Sequence, residues 1–246
     1  YKGDIFYTEN QGDWVASSPL YHVEEGKHYG HPASLVWSKG WNSGNPFELS
    51  VDQLDSMRVK PTIIFPHNLL ANSPTQPILI KNNQKLKDFE GQFIIGEMSS
   101  ERLVRVMLEE VNGVMQGAAT IFIEGNGLRK GNNRLVFSPN GDLWIGQADH
   151  GWLGDRGLQR IRFTGKPAFD VKDVKIKKDG FELNFTQEVA EEAVLPIDSL
   201  VKIRRYKFHY HKKYGTDQID VAAIPIEKFK TKIKSEIRSV GERLCL

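Results

Sequence analysis

Carboxylates and amide oxygens crowd one short loop near the start of this 246-residue chain, Glu9-Asn10-Gln11-Gly12-Asp13. Hard oxygen donors packed at that density suit a calcium ion, which collects about six to eight of them. The same residue types also bond their own backbone in ordinary turns, and that reading stays open beside the first. Further on, Phe65-Pro66-His67 places an aromatic plane and an imidazole just after an expected strand. The plane could stack on a flat ligand and the imidazole titrates near neutral pH, although Phe at a strand end also serves as core and His in a loop as surface. Arg134 offers a fork that can grip a carboxylate in two places. Gln147, Asp149 and His150 add polar groups after another expected strand. His209-Tyr210-His211 sets two imidazoles on one side of a strand with no third ligand in view, which reads as a solvent-facing pair.

The elements that must position these groups begin with Gly3 to Pro32. Ile5 to Thr8 reads as a strand, because β-branched and aromatic residues follow a glycine turn. A second strand is expected over Pro19 to Val23, and a turn at Glu24-Glu25-Gly26. The opening GDIFYTEN then returns as GQFIIGEM (Gly91 to Met98) and GDLWIGQA (Gly141 to Ala148). Each copy runs glycine, polar residue, apolar stretch, then a polar or acidic residue where the chain leaves the strand. Self-similarity at such spacing marks a repeat architecture, with about 40 to 50 residues for each blade of a propeller.

These segments resemble the soluble quinoprotein glucose and sorbosone dehydrogenase-like propellers. Thr8, Glu9, Gly12, Asp13, His22, Gly26, Tyr29, Gly30 and Pro32 fit that family's pattern, as do the stretches Pro61 to Pro74, Glu90 to Ala118 and Asn132 to Trp152. The resemblance implies calcium held through Glu9, Asp13 and Tyr29, and a bound quinone (PQQ) contacted by Phe65, His67 and Arg134. It implies a secreted or periplasmic oxidoreductase acting on a sugar alcohol or hemiacetal carbon, with a cytochrome as a candidate electron acceptor. Two departures stand out. Met98-Ser99-Ser100 replaces a family lysine, and the blade that carries the family's catalytic histidine is not in this chain, so the chain alone is expected to be inactive and no catalytic residue is assigned. The competing reading is a non-catalytic propeller that binds carbohydrate or protein through loops bearing Trp14 and Trp152, with Trp144 as packing.

The expected fold is therefore all-β: a partial propeller of about three blades over residues 1–168, then a small antiparallel β-sandwich-like domain over 169–246. The alternation in Val174 to Lys177, Phe181 to Phe185, Val201 to Tyr210 and Asp220 to Ile226 motivates the second unit. Helix is expected at Val51 to Arg58, within an insertion over Ala33 to Lys60. Lys+Arg 33 against Asp+Glu 31 leaves no strong field for nucleic acid or a membrane surface. Lysines along the tail, from Lys202 to Lys234, read as a solvated face. No apolar run is long enough to cross a bilayer, and the one cysteine, Cys245, excludes an internal disulfide. Starting at Tyr1, within a residue or two of a strand, the chain reads as a fragment or processed piece.

Overall fold

The computed structural model describes residues 3–190 except 152 and 167, residues 201–221 except 202, and a short strand at 232–233. Trp152, Cys245 and, of the basic tail, Lys202, Lys228, Lys230 and Lys234 fall outside the described residues. The fold is all-β, with mostly antiparallel strand pairing and, among the described residues, one short α-helix.

In the first sheet, β1 (Ile5–Thr8), β2 (Pro19–Val23) and β3 (Ile63–Ile64) lie in sequence order. The second is a four-stranded meander of β4 (Pro74–Leu79), β5 (Phe93–Glu97), β6 (Arg102–Val111) and β7 (Val114–Glu124). β8 (Asn132–Phe137), β9 (Leu143–Asp149) and β10 (Gly154–Ile161) form the third. β5 sends Phe93 and Ile95 into one core with Leu20, Ile63 and Phe65 of the first sheet. It sends Ile94 into another with Leu135, Leu143 and Ile145 of the third. The middle sheet is thus buried on both faces, which is why FIIGE reads as an unbroken apolar run rather than as alternation.

The three repeat copies hold the same place relative to the strand that follows each. Phe6, Ile94 and Trp144, the fourth residue of each copy, pair with His22, Arg105 and Arg160 across the ladder. Those three cationic or imidazole side chains then reach the second residue of the copy. His22 Nε2 lies 3.6 Å from Asp4, Arg105 donates to Gln92 at 2.6 Å, and Arg160 donates to Asp142 at 2.6 Å. A polar residue that looks like surface in the sequence is therefore one half of a cross-strand pair repeated in all three sheets.

Between β2 and β3 lies the insertion, which carries 3-10 turns at Pro32–Trp37 and Pro46–Glu48 and the helix α1 (Val51–Met57). α1 starts at Ser50, whose hydroxyl accepts from Gln53 N while the Gln53 side chain returns to Ser50 N, a reciprocal cap. Leu54 and Leu35 bury with Trp14 and Tyr210.

Beyond the third sheet, β11 (Val171–Lys177) and β12 (Gly180–Phe185) form a hairpin, with β15 (Lys232–Ile233) parallel to β12. Of the alternating stretch Val201 to Tyr210, only β13 (Tyr206–Lys207) pairs, with β14 (Ile219–Asp220). The expected continuation from Asp220 to Ile226 lies mostly outside the described residues. β11 lies against the second sheet, where Arg105 donates to Val171 O at 2.6 Å and Glu109 accepts from Ile176 N at 2.9 Å. Downstream, Thr216 N donates to Ala16 O at 3.0 Å, so the chain after β13 returns to the loop after β1.

Candidate functional site

A cavity of about 680 Å³ opens where the insertion meets the end of β1, lined among others by Tyr7, Glu9, His28, Tyr29, His31 and Trp37. Tyr7 and Glu9 come from the end of the first repeat copy. Tyr29 stands edge-on to Tyr7 and Tyr21, with centroids 5.9 and 5.3 Å apart, while Tyr7 and Tyr21 stack at 5.3 Å. The Tyr29 hydroxyl receives Glu24 N at 2.6 Å, so the ring is fixed by the turn that precedes it. Gly30 then turns the chain at φ +119°, a conformation open to glycine and strained for other residues. Its carbonyl accepts from the buried Tyr210 hydroxyl. From there His31 caps the first 3-10 turn and Pro32 starts it, which delivers Ser34, Trp37 and Ser38 to the cavity.

Electrostatically the cavity centres on Glu9. Its carboxylate makes no hydrogen bond or ion pair among the described residues, and burial pushes its pKa above the ordinary value. Burial likewise raises the Tyr7 phenol and pushes Tyr21 up to about 12, so both stay protonated at neutral pH. His28 is shifted downward, first by burial and then by Arg58 and His31, which favours the neutral imidazole. The result is a half-buried carboxylate in a cavity lined by protonated Tyr7 and by His28 on one hand and by Lys27 and Lys39 on the other. Such a site can accept a hydrogen bond from a hydroxyl, or its proton.

The positions proposed from sequence are not gathered in one place. Glu9 and Tyr29 share the cavity, whereas Asp13 is exposed and its backbone bridges to Tyr214. Among the described residues no three His, Cys, Asp or Glu side chains converge on a point, and the structure does not bring the Asp13 side chain into the cavity with Glu9 and Tyr29. Phe65 is fully buried between the first and second sheets and offers no face for stacking. Arg134 is exposed and donates to its neighbour Asn133 at 2.6 Å. The three positions named for the quinone therefore do not fit a common planar ligand.

His67 belongs to a separate polar cluster. Its Nε2 lies 3.1 Å from the oxygen of the buried Ser18, which gives its own proton to Asn72 O at 2.8 Å. The imidazole must then be the donor of that pair, and Ser18 is no nucleophile. Asn72 N and Ser73 N donate in turn to Glu97 at 3.1 and 2.8 Å, and Ser100 adds its hydroxyl at 2.6 Å. Glu97 is fully buried and needs these donors to hold its place at the end of the second repeat copy. Gln147, the matching residue of the third copy, accepts from Arg129 at 3.0 Å. Glu9 is the member of this trio that faces a cavity.

Sequence reasoning missed His28, Ser34 and Lys39 as cavity residues. Trp37 falls within the expected insertion, yet its indole stands 87% exposed at the cavity rim. The signal was the run Lys27-His28-Tyr29-Gly30-His31-Pro32, where a glycine turn and a following Pro project neighbouring side chains inward.

No family model and no curated protein matches the chain. Among solved structures, an oxidoreductase (glucose dehydrogenase) from Thermus thermophilus, so described, aligns at 17% identity with a TM-score of 0.39. The alignment covers 65% of this chain and 42% of that one, so this chain spans less than half of its length.

Proposed function

We propose that the cavity around Glu9 binds a neutral sugar or sugar alcohol, and that the chain is the sugar-binding part of a propeller-type sugar oxidoreductase. The observation that carries this is the unpaired Glu9 carboxylate, half-buried under Tyr7 and Tyr29 with Trp37 at the rim. Aromatic faces cover the apolar side of a sugar ring, and a carboxylate accepts from its hydroxyls. The cavity volume of about 680 Å³ lies within the range of small-molecule sites. In such a site Glu9 would accept a hydrogen bond from a ring hydroxyl of the bound sugar, or its proton. The threefold repeat and the resemblance carried by Thr8-Glu9 and Tyr29-Gly30 support this reading over a purely structural one.

Titration calorimetry with glucose and with sorbitol tests it, comparing the wild type with Glu9→Gln and Trp37→Ala. Saturable binding that drops at least about tenfold in Glu9→Gln, the scale of one lost hydrogen bond, is the expected result. Binding untouched by both substitutions, or none in the wild type, overturns it.

A further inference from the structure

His28 carries a buried ring nitrogen with nothing to bond. The side chain is only 8% exposed and borders the Glu9 cavity, yet Nε2 is withdrawn from solvent and has no hydrogen-bond partner. Its other nitrogen, Nδ1, lies 3.1 Å from Ser34 Oγ. Ser34 Oγ in turn donates its single proton to His31 O at 2.9 Å. A hydroxyl has one proton to give, so Ser34 can only accept from His28. Nδ1 is therefore the protonated nitrogen, and Nε2 holds a bare lone pair.

We infer that His28 Nε2 is a ligand acceptor: on binding it takes a hydrogen bond from a hydroxyl of the sugar. The inference rests on the sugar reading of the cavity. A buried acceptor left without a donor is costly in a folded protein, and the cost is recovered when a donor arrives. Two acceptors, one carboxylate and one imidazole lone pair, select a molecule that offers two hydroxyl donors, which a polyol does and a simple aldehyde or ketone does not. Because Nε2 exposes no surface in the ligand-free protein, the contact requires the cavity wall to yield. Trp37, 87% exposed at the rim, is one wall member with little packing. The same Ser34 to His31 link that sets the tautomer holds the ring in place, so Ser34 is a positioning residue.

Two measurements separate this from the sugar reading itself. Long-range 1H–15N correlation on the labelled chain reports the His28 tautomer without any ligand, and the Nδ1–H form is expected. A Nε2–H form overturns the inference whatever binds. Calorimetry with sorbitol then compares His28→Asn, which keeps a donor at the Nδ1 position for Ser34, with His28→Gln, which restores an acceptor near the Nε2 position. The expected result is about tenfold weaker binding in His28→Asn and near wild-type binding in His28→Gln, the value of one hydrogen bond. Ser34→Ala keeps the ring but frees the tautomer, and should weaken binding while shifting the 15N pattern. Equal affinity in wild type, His28→Asn and Ser34→Ala overturns the role of His28. A wild type that binds neither glucose nor sorbitol removes the sugar reading, and the ligand role of His28 with it.

Discussion

The Arg105 guanidinium donates to the Asp170 carboxylate at 3.0 Å from a side chain with no solvent exposure of its own. Arg105 sits on β6, in the sheet that is buried on both faces, and Asp170 immediately precedes β11. The same guanidinium lies 4.0 Å from the Phe89 centroid and donates to Gln92 and to Val171 O. One side chain thus joins the second repeat copy to the hairpin that follows the third.

Replacing Arg105 by Ala should cost about 3 kcal/mol, because it removes a fully buried side chain and leaves the buried Gln92 oxygen and the Val171 carbonyl without their donor. Chemical denaturation of the variant measures this. Proteolytic cleavage between Gly165 and Lys172 gives a second readout. In the wild type the two products should stay associated through Arg105 and the Glu109 contact to Ile176 N, and in Arg105→Ala they should separate on gel filtration. Separation already in the wild type would assign the junction to other residues.

Gly96 shows a different constraint at the sheet junction. A Cβ built there would lie 2.1 Å from Asn132 O and 2.3 Å from Thr75 Oγ1, atoms tied to each other by a 2.6 Å hydrogen bond. Gly96→Ala must push the second sheet away from the start of β8, and a loss of about 3 kcal/mol is expected. Gly113 is the control. It occupies a left-handed turn at φ +77° with open space around it, so Gly113→Ala should cost about 1 kcal/mol through backbone strain alone. Comparable losses in the two variants would mean that the close approach at Gly96 relaxes freely.

What the sequence disclosed was the repeat, the all-β class and the ends of the central strands, because apolar runs between glycine turns leave a strong local signal. It reads Pro66 to Pro77 as a loop and a strand only over Ile78 to Ile80, because Pro74 and Pro77 argue against a strand; both are tolerated on the edge strand β4, with a register shift between them. A strand read from its apolar run, Ala119 to Ile123, is likewise shorter than β7: Asn112-Gly113, both at positive φ, is the two-residue hairpin turn that continues the ladder from Val111 to Val114. At the candidate site, Glu9 and Tyr29 were legible because they flank glycine turns. Phe65 was misjudged: its position after a strand is the same for a core ring and a stacking ring, and only the facing sheet decides. The unpaired nitrogen of His28 could not be seen, since it is a property of neighbours brought in by folding.

Asp142 makes an acid-sensitive contribution. Hydrogen bonds from Lys85 at 2.7 Å and Arg160 hold its pKa down at about 2 against an ordinary 3.8. A depressed carboxyl stabilises the fold above its unfolded value, and that contribution fades as pH falls from about 4 towards 2. Melting temperature followed across that window should therefore fall more steeply in the wild type than in Asp142→Asn, which has nothing to protonate. Parallel curves would assign the acid limb to other carboxylates.

Glu9 should behave in the opposite sense, and that contrast tests its role. Burial raises its pKa, so the folded chain holds the proton more tightly than the unfolded chain does. Ionising Glu9 then costs stability: the penalty is absent below the unfolded carboxyl value, grows as pH rises, and is complete above the raised folded value. Glu9→Gln should accordingly raise the melting temperature at pH 7 and leave it unchanged near pH 3. The same substitution should abolish the gain in sorbitol affinity expected as pH rises through the Glu9 titration. A residue kept charged at a cost to the fold, and needed for binding in that charged state, is the mark of a site held for function rather than for packing. If Glu9→Gln lowers the melting temperature at pH 7, the carboxylate is a structural acceptor and the ligand reading of the cavity fails with it.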